Sequence, residues 1–348
     1  MIRIAIIGAA HPHVEYVLDE LRRDERRDFT LVGVYDPDPV IAEQYARSHG
    51  VPAFADSEGL LAEEIDIAVI AGIYGARGDH VISALRAGAH VLADKPLCTS
   101  LDELDAIEIA AREEGRSVNL LLEKRGYPET IAALSVVRSG ELGDIHGITS
   151  SGPHKINVDT RPEWFFDRCQ YGGILADLAV HDLDAALMFV SLDAGAVRGV
   201  TAGSLENAAD FELFGVASVS APNLVITSEV SWLTPQASDI HGDYRLRIVG
   251  TRGTAEVFWA RGRVDVTTSE RQSRNLELPR GFRPAEQALD AFAVGDVPQV
   301  GTRESVSATR LALLAQRSAD QQGALQVWQG AEKHENAHVQ HHPRQERA

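Results

Sequence analysis

The chain has 348 residues, with 33 Lys plus Arg against 51 Asp plus Glu and a formal charge of −18. That length allows about two domains of roughly 100–200 residues, each able to bury a core, and 44% hydrophobic with 24% charged residues excludes wholesale disorder and fibrous classes. The acidic balance repels phosphate backbones and anionic lipid surfaces, so neither nucleic acid nor a membrane is an expected partner. It does not exclude a small anionic ligand, because a few local donors outweigh a distant field.

The N-terminal segment MIRIAIIGAA is followed at once by HPH and a charged amphipathic stretch. It reads as a buried first strand, Ile2–Ile7, rather than a signal peptide, and no run reaches the roughly 18 apolar residues of a membrane span. Helices are expected over 14–23 and 39–49 and a strand over 30–35. A nearly all-apolar strand at 65–71 has the pattern of a strand covered on both faces. A helix over 79–87 with Gly88 as its stop, a strand at His90–Ala93, a helix at Leu101–Glu114 closed by Gly115 and a strand over 117–122 complete the rhythm. Strand–helix repetition at this spacing implies a parallel sheet with right-handed crossovers, so residues 1–122 are read as a doubly wound, Rossmann-type α/β domain.

The rhythm changes after Glu123. A helix over 131–139 gives way to strands near 145–150, 196–204, 217–220, 224–232, 244–249 and 255–260, which point to a mostly antiparallel sheet. Helices over 173–190, 284–292 and 302–321 complete an α+β domain spanning 123–330. One sheet face without helices of its own predicts a homodimer or homotetramer. The tail from 331 to 348 is polar and unpatterned, and its His334, His338, His341 and His342 suggest only adventitious metal binding. Cys98 and Cys169 are expected as two reduced thiols of a cytoplasmic protein.

The loop after the first strand is Gly8-Ala9-Ala10-His11-Pro12-His13. In the dinucleotide fingerprint G-x-G-x-x-G the first glycine turns the chain, the second admits the pyrophosphate and the third lets helix and strand pack. Only the first is present; Ala10 and His13 stand at the other two places. The loop nevertheless opens a helix, whose N-terminus offers N–H groups and a positive dipole end to a phosphate. His11 and His13 are read either as donors to that phosphate or as caps of the helix. Asp36, at the end of the second strand, is placed to accept both ribose hydroxyls and to repel a 2′-phosphate, which favours NAD over NADP. The competing reading of Asp36 is an Asx turn before Pro37.

Two further segments are distinctive. Asp94-Lys95-Pro96-Leu97 follows the strand at His90–Ala93, and Gly172-Gly173 is followed by Asp177, His181 and Asp184 at the start of a long helix. With Arg125-Gly126-Tyr127-Pro128, Ser139-Gly140-Glu141-Leu142-Gly143 and Gly250-Thr251-Arg252-Gly253-Thr254 in consistent order, the chain resembles the Gfo/Idh/MocA family from about residue 2 to 323. That family includes glucose–fructose oxidoreductases and inositol dehydrogenases, and its patterns are E-K-P and G-G-x-x-x-D-x-x-x-H-x-x-D. The resemblance implies Lys95 as the catalytic lysine, Asp177 as the substrate-positioning acid, His181 as the general base and a cis Lys95–Pro96 bond. The chemistry is consistent: a histidine titrating near ~6.5 accepts the hydroxyl proton as hydride leaves, and a neighbouring ammonium stabilises the alkoxide. A spacing of four puts Asp177 and His181 on one helix face, where Asp177 could also fix the charge state of His181.

Departures from the pattern are Asp94 for the usual glutamate and Ala71-Gly72-Ile73-Tyr74-Gly75 where a Thr-Pro-Asn segment is common, with His80 at the place of a usual histidine. Gly72, His80, Asp94 and Lys95 join Gly8, Ala10, His11, His13 and Asp36 as the expected NAD-binding residues. Arg125, His154, Asn157 and Trp164, with Lys155 and Arg161 in the same stretch, are expected to contact substrate beside Lys95, Asp177 and His181; Trp164 reads equally as core packing. No metal is expected, since a D-x-x-x-H pair with Asp184 or His154 lacks a clear third ligand. The reading is therefore an NAD(P)-dependent oxidoreductase acting on a secondary alcohol of a small polyhydroxylated substrate such as a sugar or cyclitol. Alternatives are an NAD-retaining glycoside hydrolase or lyase of the same fold and a non-catalytic dinucleotide or sugar sensor.

Overall fold

The computed structural model describes residues 1–296 and 298–329; the histidine-bearing tail lies outside them. The first sheet is built from β1 (Ile2–Ile7), β2 (Phe29–Tyr35), β3 (Ile67–Ile70), β4 (His90–Ala93) and β5 (Val118–Leu120), all parallel in the order β2-β1-β3-β4-β5. Its crossovers are α1 (Val14–Leu21), α2 (Pro39–His49), the unanticipated α3 (Ser57–Leu61), α4 (Tyr74–Arg86) and α5 (Leu101–Glu114). Strand order reverses between β1 and β3, which places a crevice at their carboxyl ends between the loops at 8–13 and 71–73. Local chemistry fixes the helix ends. Ser100 and Glu103 close a capping box at the start of α5, and Gly115 ends it at φ +61°.

α4 starts at Tyr74, five residues before the expected position, because Gly75 and Gly78 are helical rather than breakers. A Cβ on Gly75 would lie 2.7 Å from the Cys169 carbonyl and one on Gly78 2.7 Å from Glu103 Oε1. The glycines let α4 lie against its neighbours, a tertiary reason that overrides helix propensity.

The remaining chain forms α6 (Pro128–Arg138), β6 (Ile145–Pro153), α7 (Arg168–Tyr171), α8 (Val180–Phe189), β7 (Ala194–Leu205), β8 (Ala208–Ala221), β9 (Leu224–Ser231), β10 (Arg245–Gly250), β11 (Gly253–Phe258), β12 (Arg263–Thr268), β13 (Arg274–Asn275), α9 (Glu286–Ala293), α10 (Thr302–Asp320) and β14 (Gln326–Gln329). The second sheet runs β13-β12-β11-β10-β6-β9-β8-β7-β14. It is antiparallel except for β6 and β9, which pair in parallel because α7, α8 and the β7–β8 hairpin intervene as a crossover. The sequence patterns had missed β12, β13 and β14.

The inner face of this sheet buries Val197, Ala217, Ile226, Val230, Leu246 and Ile248 against α6, α8 and α10. Small residues set how close those helices come. A Cβ on Gly199 would stand 1.9 Å from the Ala315 carbonyl of α10, and one on Gly215 would stand 2.8 Å from Leu175. α9 and α10 also return to the first sheet: Ala285 and Leu289 join the core around Ile4, Ile6 and Val14. Ser305 Oγ accepts from Leu120 N–H at 3.0 Å and donates to the Val118 carbonyl at 3.2 Å, satisfying the outer edge of β5. Cys98 is a buried free thiol and Cys169 an exposed one. No described helix is long and apolar enough to cross a membrane.

Replacing Gly199 by Ala is expected to cost about 1–3 kcal/mol through overpacking and to lower the thermal midpoint by several degrees. An unchanged midpoint in differential scanning calorimetry would show that α10 does not rest on β7 there.

Candidate active site

β4 delivers two oppositely charged residues, Asp94 and Lys95, into a cleft between the two sheets. Asp94 is fully buried. Its Oδ2 accepts from Arg77 Nη2 at 2.8 Å and lies 3.0 Å from His11 Nδ1, while Oδ1 lies 2.8 Å from His13 Nδ1. Arg77 also donates to the carbonyls of Gly72 (2.8 Å), Lys95 (2.5 Å) and Pro96 (3.0 Å), so one buried guanidinium ties the ends of β3 and β4 to α4. Bonding Asp94 requires the proton on His11 Nδ1, so the 3.3 Å approach of His13 N–H to that atom is a contact, not a hydrogen bond. Burial pushes the His11 pKa down to about 4 against the pull of Asp94. Burial raises the Asp94 carboxyl, but His13, His11 and Arg77 more than offset it and hold it well below its ordinary value.

These contacts correct the expected roles of His11 and His13. Neither ring caps α1: His13 is its N-cap residue, without a side-chain cap bond. Both rings turn toward Asp94 rather than toward a phosphate. The expectation of free main-chain donors is corrected too. His11 N–H donates to the Ala71 carbonyl at 2.8 Å, Val14 and Glu15 N–H donate to His11 and Pro12 carbonyls at 3.2 and 3.1 Å, and Pro12 has no N–H. Within the 8–13 loop, the Ala10 and His13 N–H groups remain without a protein hydrogen-bond partner among the described residues.

The crevice still fits a dinucleotide at both ends. Gly8, at φ +81°, lets the backbone of the first loop touch the second, since a Cβ there would lie 2.6 Å from Gly72 Cα. Asp36 accepts from Ala9 N–H at 2.7 Å and Asp38 N–H at 2.9 Å. Its Asx turn and its position at the crevice are thus combined, and each oxygen keeps acceptor capacity for a hydroxyl. His80 packs edge-on to Tyr35, with ring centroids 5.8 Å apart, at the Asp36 end of the crevice.

At the other end, Lys95 Nζ donates to Asp177 Oδ1 at 2.6 Å, with Lys95 5% and Asp177 0% exposed. The Lys95–Pro96 bond is cis. Burial raises the Asp177 carboxyl, and the adjacent ammonium more than reverses that, leaving it below its ordinary value. Asp177 lies in a π turn, Leu175–Ala179, that leads into α8, so the expected uninterrupted α-helix is corrected. Such turns widen the helix by one residue and often carry functional groups. Asp177 therefore bonds Lys95 and not His181. His181 Nε2 instead faces Glu123 Oε1 at 3.6 Å. Burial first, then the charges of Lys95 and Lys124, hold the His181 pKa well below its usual value. Asp177 Oδ2, His181 Nδ1 and Glu123 Oε2 are buried without a hydrogen-bond partner. The Tyr171 hydroxyl stands beside Asp177 without a well-formed bond to it, and accepts from the Trp232 indole N–H at 3.1 Å.

The expected substrate contacts divide. Arg125 is spent in a two-pronged ion pair with Asp184 (2.7 and 2.6 Å), which corrects its assignment to substrate. Trp164 is half-buried and packs on Tyr74, with centroids 5.0 Å apart, as the packing alternative expects. His154 Nδ1 lies 2.9 Å from the Gly152 carbonyl, and burial followed by the Lys124 charge lowers its pKa to about 3. Asn157 turns the loop at φ +50°. Glu123, Arg77 and the Lys124–Asp182 ion pair were missed; no spacing marks them, because they meet only through tertiary contacts. Asp184 is held by Arg125, so the D-x-x-x-H pair gains no third metal ligand there. Among the described residues His11, His13 and Asp94 present ligand atoms within 4.8 Å of one another, but Arg77 already balances that carboxylate.

The family model described as an oxidoreductase family with an NAD-binding Rossmann fold matches residues 2–121, and the Gfo/Idh/MocA C-terminal domain model matches residues 130–256. The chain is 25% identical to an NADP+-dependent D-xylose 1-dehydrogenase of Haloferax volcanii over 92% of this chain and 98% of that protein. It is 27% identical to the scyllo-inositol 2-dehydrogenase (NAD+) of Bacillus subtilis over 64% and 65% of the two chains. Its fold matches an Azotobacter vinelandii inositol dehydrogenase homologue solved with NAD+ at a TM-score of 0.80 and 19% identity, covering 94% of this chain and 97% of that one.

Buried neutral imidazoles give the stability a definite pH dependence. The pKa values of His11 and His90 are lowered to about 4 and that of His154 to about 3, burial being the largest cause in each, against about 6.5 in the unfolded chain. Below pH ~6.5 the unfolded chain binds protons that the folded chain does not, so stability is full above that pH and falls as pH drops toward 4. Each such histidine contributes up to about 1.4 kcal/mol per pH unit. Thermal melts should show a steady fall in midpoint from pH 7 to 5; a flat profile would mean these rings are solvated.

Proposed function

The chain belongs to the Gfo/Idh/MocA family of NAD-binding oxidoreductases, and from that premise we propose that it transfers a hydride between a nicotinamide cofactor and a secondary alcohol of a sugar, cyclitol or related polyhydroxy compound. The observation that carries this reading is the buried Asp177 Oδ2, partnerless beside Lys95 and in the same cleft as an uncharged His181. An orphaned buried acceptor is costly unless a ligand supplies a donor, and a substrate hydroxyl is such a donor.

The bound nicotinamide supplies the hydride acceptor. Gly8, Gly72, Ala10 N–H and Asp36 would hold the dinucleotide along the crevice. Lys95 sits where an ammonium stabilises negative charge building on the reacting oxygen. Asp177 keeps that ammonium aimed and accepts a neighbouring hydroxyl. His181, neutral through burial and nearby cations, takes the hydroxyl proton at a free ring nitrogen, and the same cations drive it to release that proton quickly. The cyclitol and sugar substrates of the D-xylose and scyllo-inositol relatives support the substrate class.

His181→Asn is expected to lower turnover about 10²–10⁴-fold with the fold intact. Lys95→Met should lower turnover comparably and also lower the thermal midpoint, because a buried Asp177 without its partner costs about 3–5 kcal/mol. Turnover within a fewfold of the parent in either variant would refute these roles.

For the cofactor we infer NAD. Asp36 is 5% exposed at the end of β2, and Pro37, Asp38 and Pro39 follow it with no cation to receive a 2′-phosphate. Fluorescence titration should show tighter binding of NADH than NADPH, and the reverse order would overturn the Asp36 argument. The occupied main-chain donors of the 8–13 loop favour a second reading, a non-catalytic regulator, and binding of neither nucleotide would select it.

A further inference from the structure

The buried charges of the cleft cancel in pairs: Lys95 with Asp177, Lys124 with Asp182, and Arg125 with Asp184. Arg161 has no such partner; among the described residues it forms no ion pair with a carboxylate. Its guanidinium lies over the Phe165 ring at 4.3 Å and the Trp232 ring at 5.1 Å, and its Nε donates to the Ile156 carbonyl at 3.1 Å. One of its five N–H donors is therefore used and the terminal fork remains free. Contact with two rings and the Nε bond restrict the side chain, so less of its freedom is left to lose on binding.

Arg161 is connected to the reacting groups through two rings: its guanidinium lies over Trp232, whose indole N–H donates to the Tyr171 hydroxyl at 3.1 Å, and that hydroxyl stands beside Asp177. Lys95 Nζ is 5.9 Å from the Tyr74 ring centroid, and the Tyr74 and Phe165 rings are 6.3 Å apart in an edge-on pair. Its charge helps depress the Asp177 carboxyl. Lys155 adds a second cation on the same loop, its Nζ held by the carbonyls of Gln236 (3.2 Å) and Ser238 (2.5 Å) and by no carboxylate among the described residues. An unneutralised cationic end in a chain of charge −18 opposes the field of the whole molecule.

We propose that the substrate of this cleft is a polyol that also carries an anionic oxygen group, a carboxylate or a phosphate, and that the Arg161 fork binds that group while Lys95, Asp177 and His181 hold the reacting hydroxyl. This rests on the dehydrogenase reading above. A forked guanidinium matches two oxygens of either group, and hydrogen bonds to charged partners are worth about 1.5–3 kcal/mol, or roughly 10- to 150-fold in affinity.

The test is calorimetric titration of the NAD-loaded protein with D-glucose, D-glucuronate, D-glucose 6-phosphate and UDP-glucose, alongside assays of NAD reduction with each. At least one anionic probe is expected to bind tenfold or more tightly than glucose. The three anionic arms separate a carboxylate, a phosphate monoester and a diphosphate as the source of the charge. In Arg161→Met, checked for folding by circular dichroism and NADH binding, that ratio should collapse toward one, while Arg161→Lys should keep only part of it. Equal affinities in the parent, no binding of any anionic probe, or a ratio that survives Arg161→Met would overturn the proposal. Turnover of glucose with no charge preference would leave the dehydrogenase reading standing. Arg161-dependent anion binding without NAD reduction by any probe would sink that reading and leave the anion site.

Discussion

The site depends on one buried ion pair. Lys95 rises from the end of β4 in the first sheet, and Asp177 descends from the π turn that rests on the second. Neither half alone holds the arrangement. Burial in a low dielectric makes each charge expensive by itself, so the ammonium and the carboxylate are mutually required. Their bond uses one carboxylate oxygen and leaves the other orphaned in the cleft. Everything around the pair serves to keep it dry and aligned: Tyr74 covers the lysine, and Gly215 brings the π turn down on the sheet.

A second knot of charge lies immediately behind. Asp94 gathers Arg77, His11 and His13, and through Arg77 it fixes the carbonyls of Gly72, Lys95 and Pro96. The first crevice loop is thereby shaped by imidazole–carboxylate bonds and by closure of its own turn, where a glycine-rich loop would leave its N–H groups free. The shorter Asp in place of the usual Glu is consistent with this, since the two imidazoles reach in to meet it. His181 and His11 alike are kept neutral by burial, which links the cleft to the pH dependence of the fold.

Much of this was legible in residue order. The apolar strands, the Ser100 and Gly115 helix signals, the Gly8 turn and the Lys95, Asp177 and His181 set all stand in local patterns, and the family resemblance ordered them. Arg125 was misread because its cation looks the same in sequence whether it faces substrate or Asp184. The early start of α4 and the two- and four-residue strands β13 and β14 carry weak local signals, whereas the alternation of Val264 and Val266 in β12 is a legible strand pattern that lay outside the expected elements. Glu123 lies beside His181 only because the turn after β5 meets α8 in space, a contact 58 positions apart in the chain.

The sequence by itself determined the two sheet-forming units, the parallel character of the first and the chemical types available to the cleft, because period and turn chemistry are local properties of the chain. Tertiary structure alone decided which charges are spent and which are free. Arg125, Lys124 and Arg77 are consumed by Asp184, Asp182 and Asp94, while Arg161 keeps its fork and Asp177 keeps one oxygen. A charge is functional or structural according to what stands within about 3–4 Å of it, and no one-dimensional pattern records that distance.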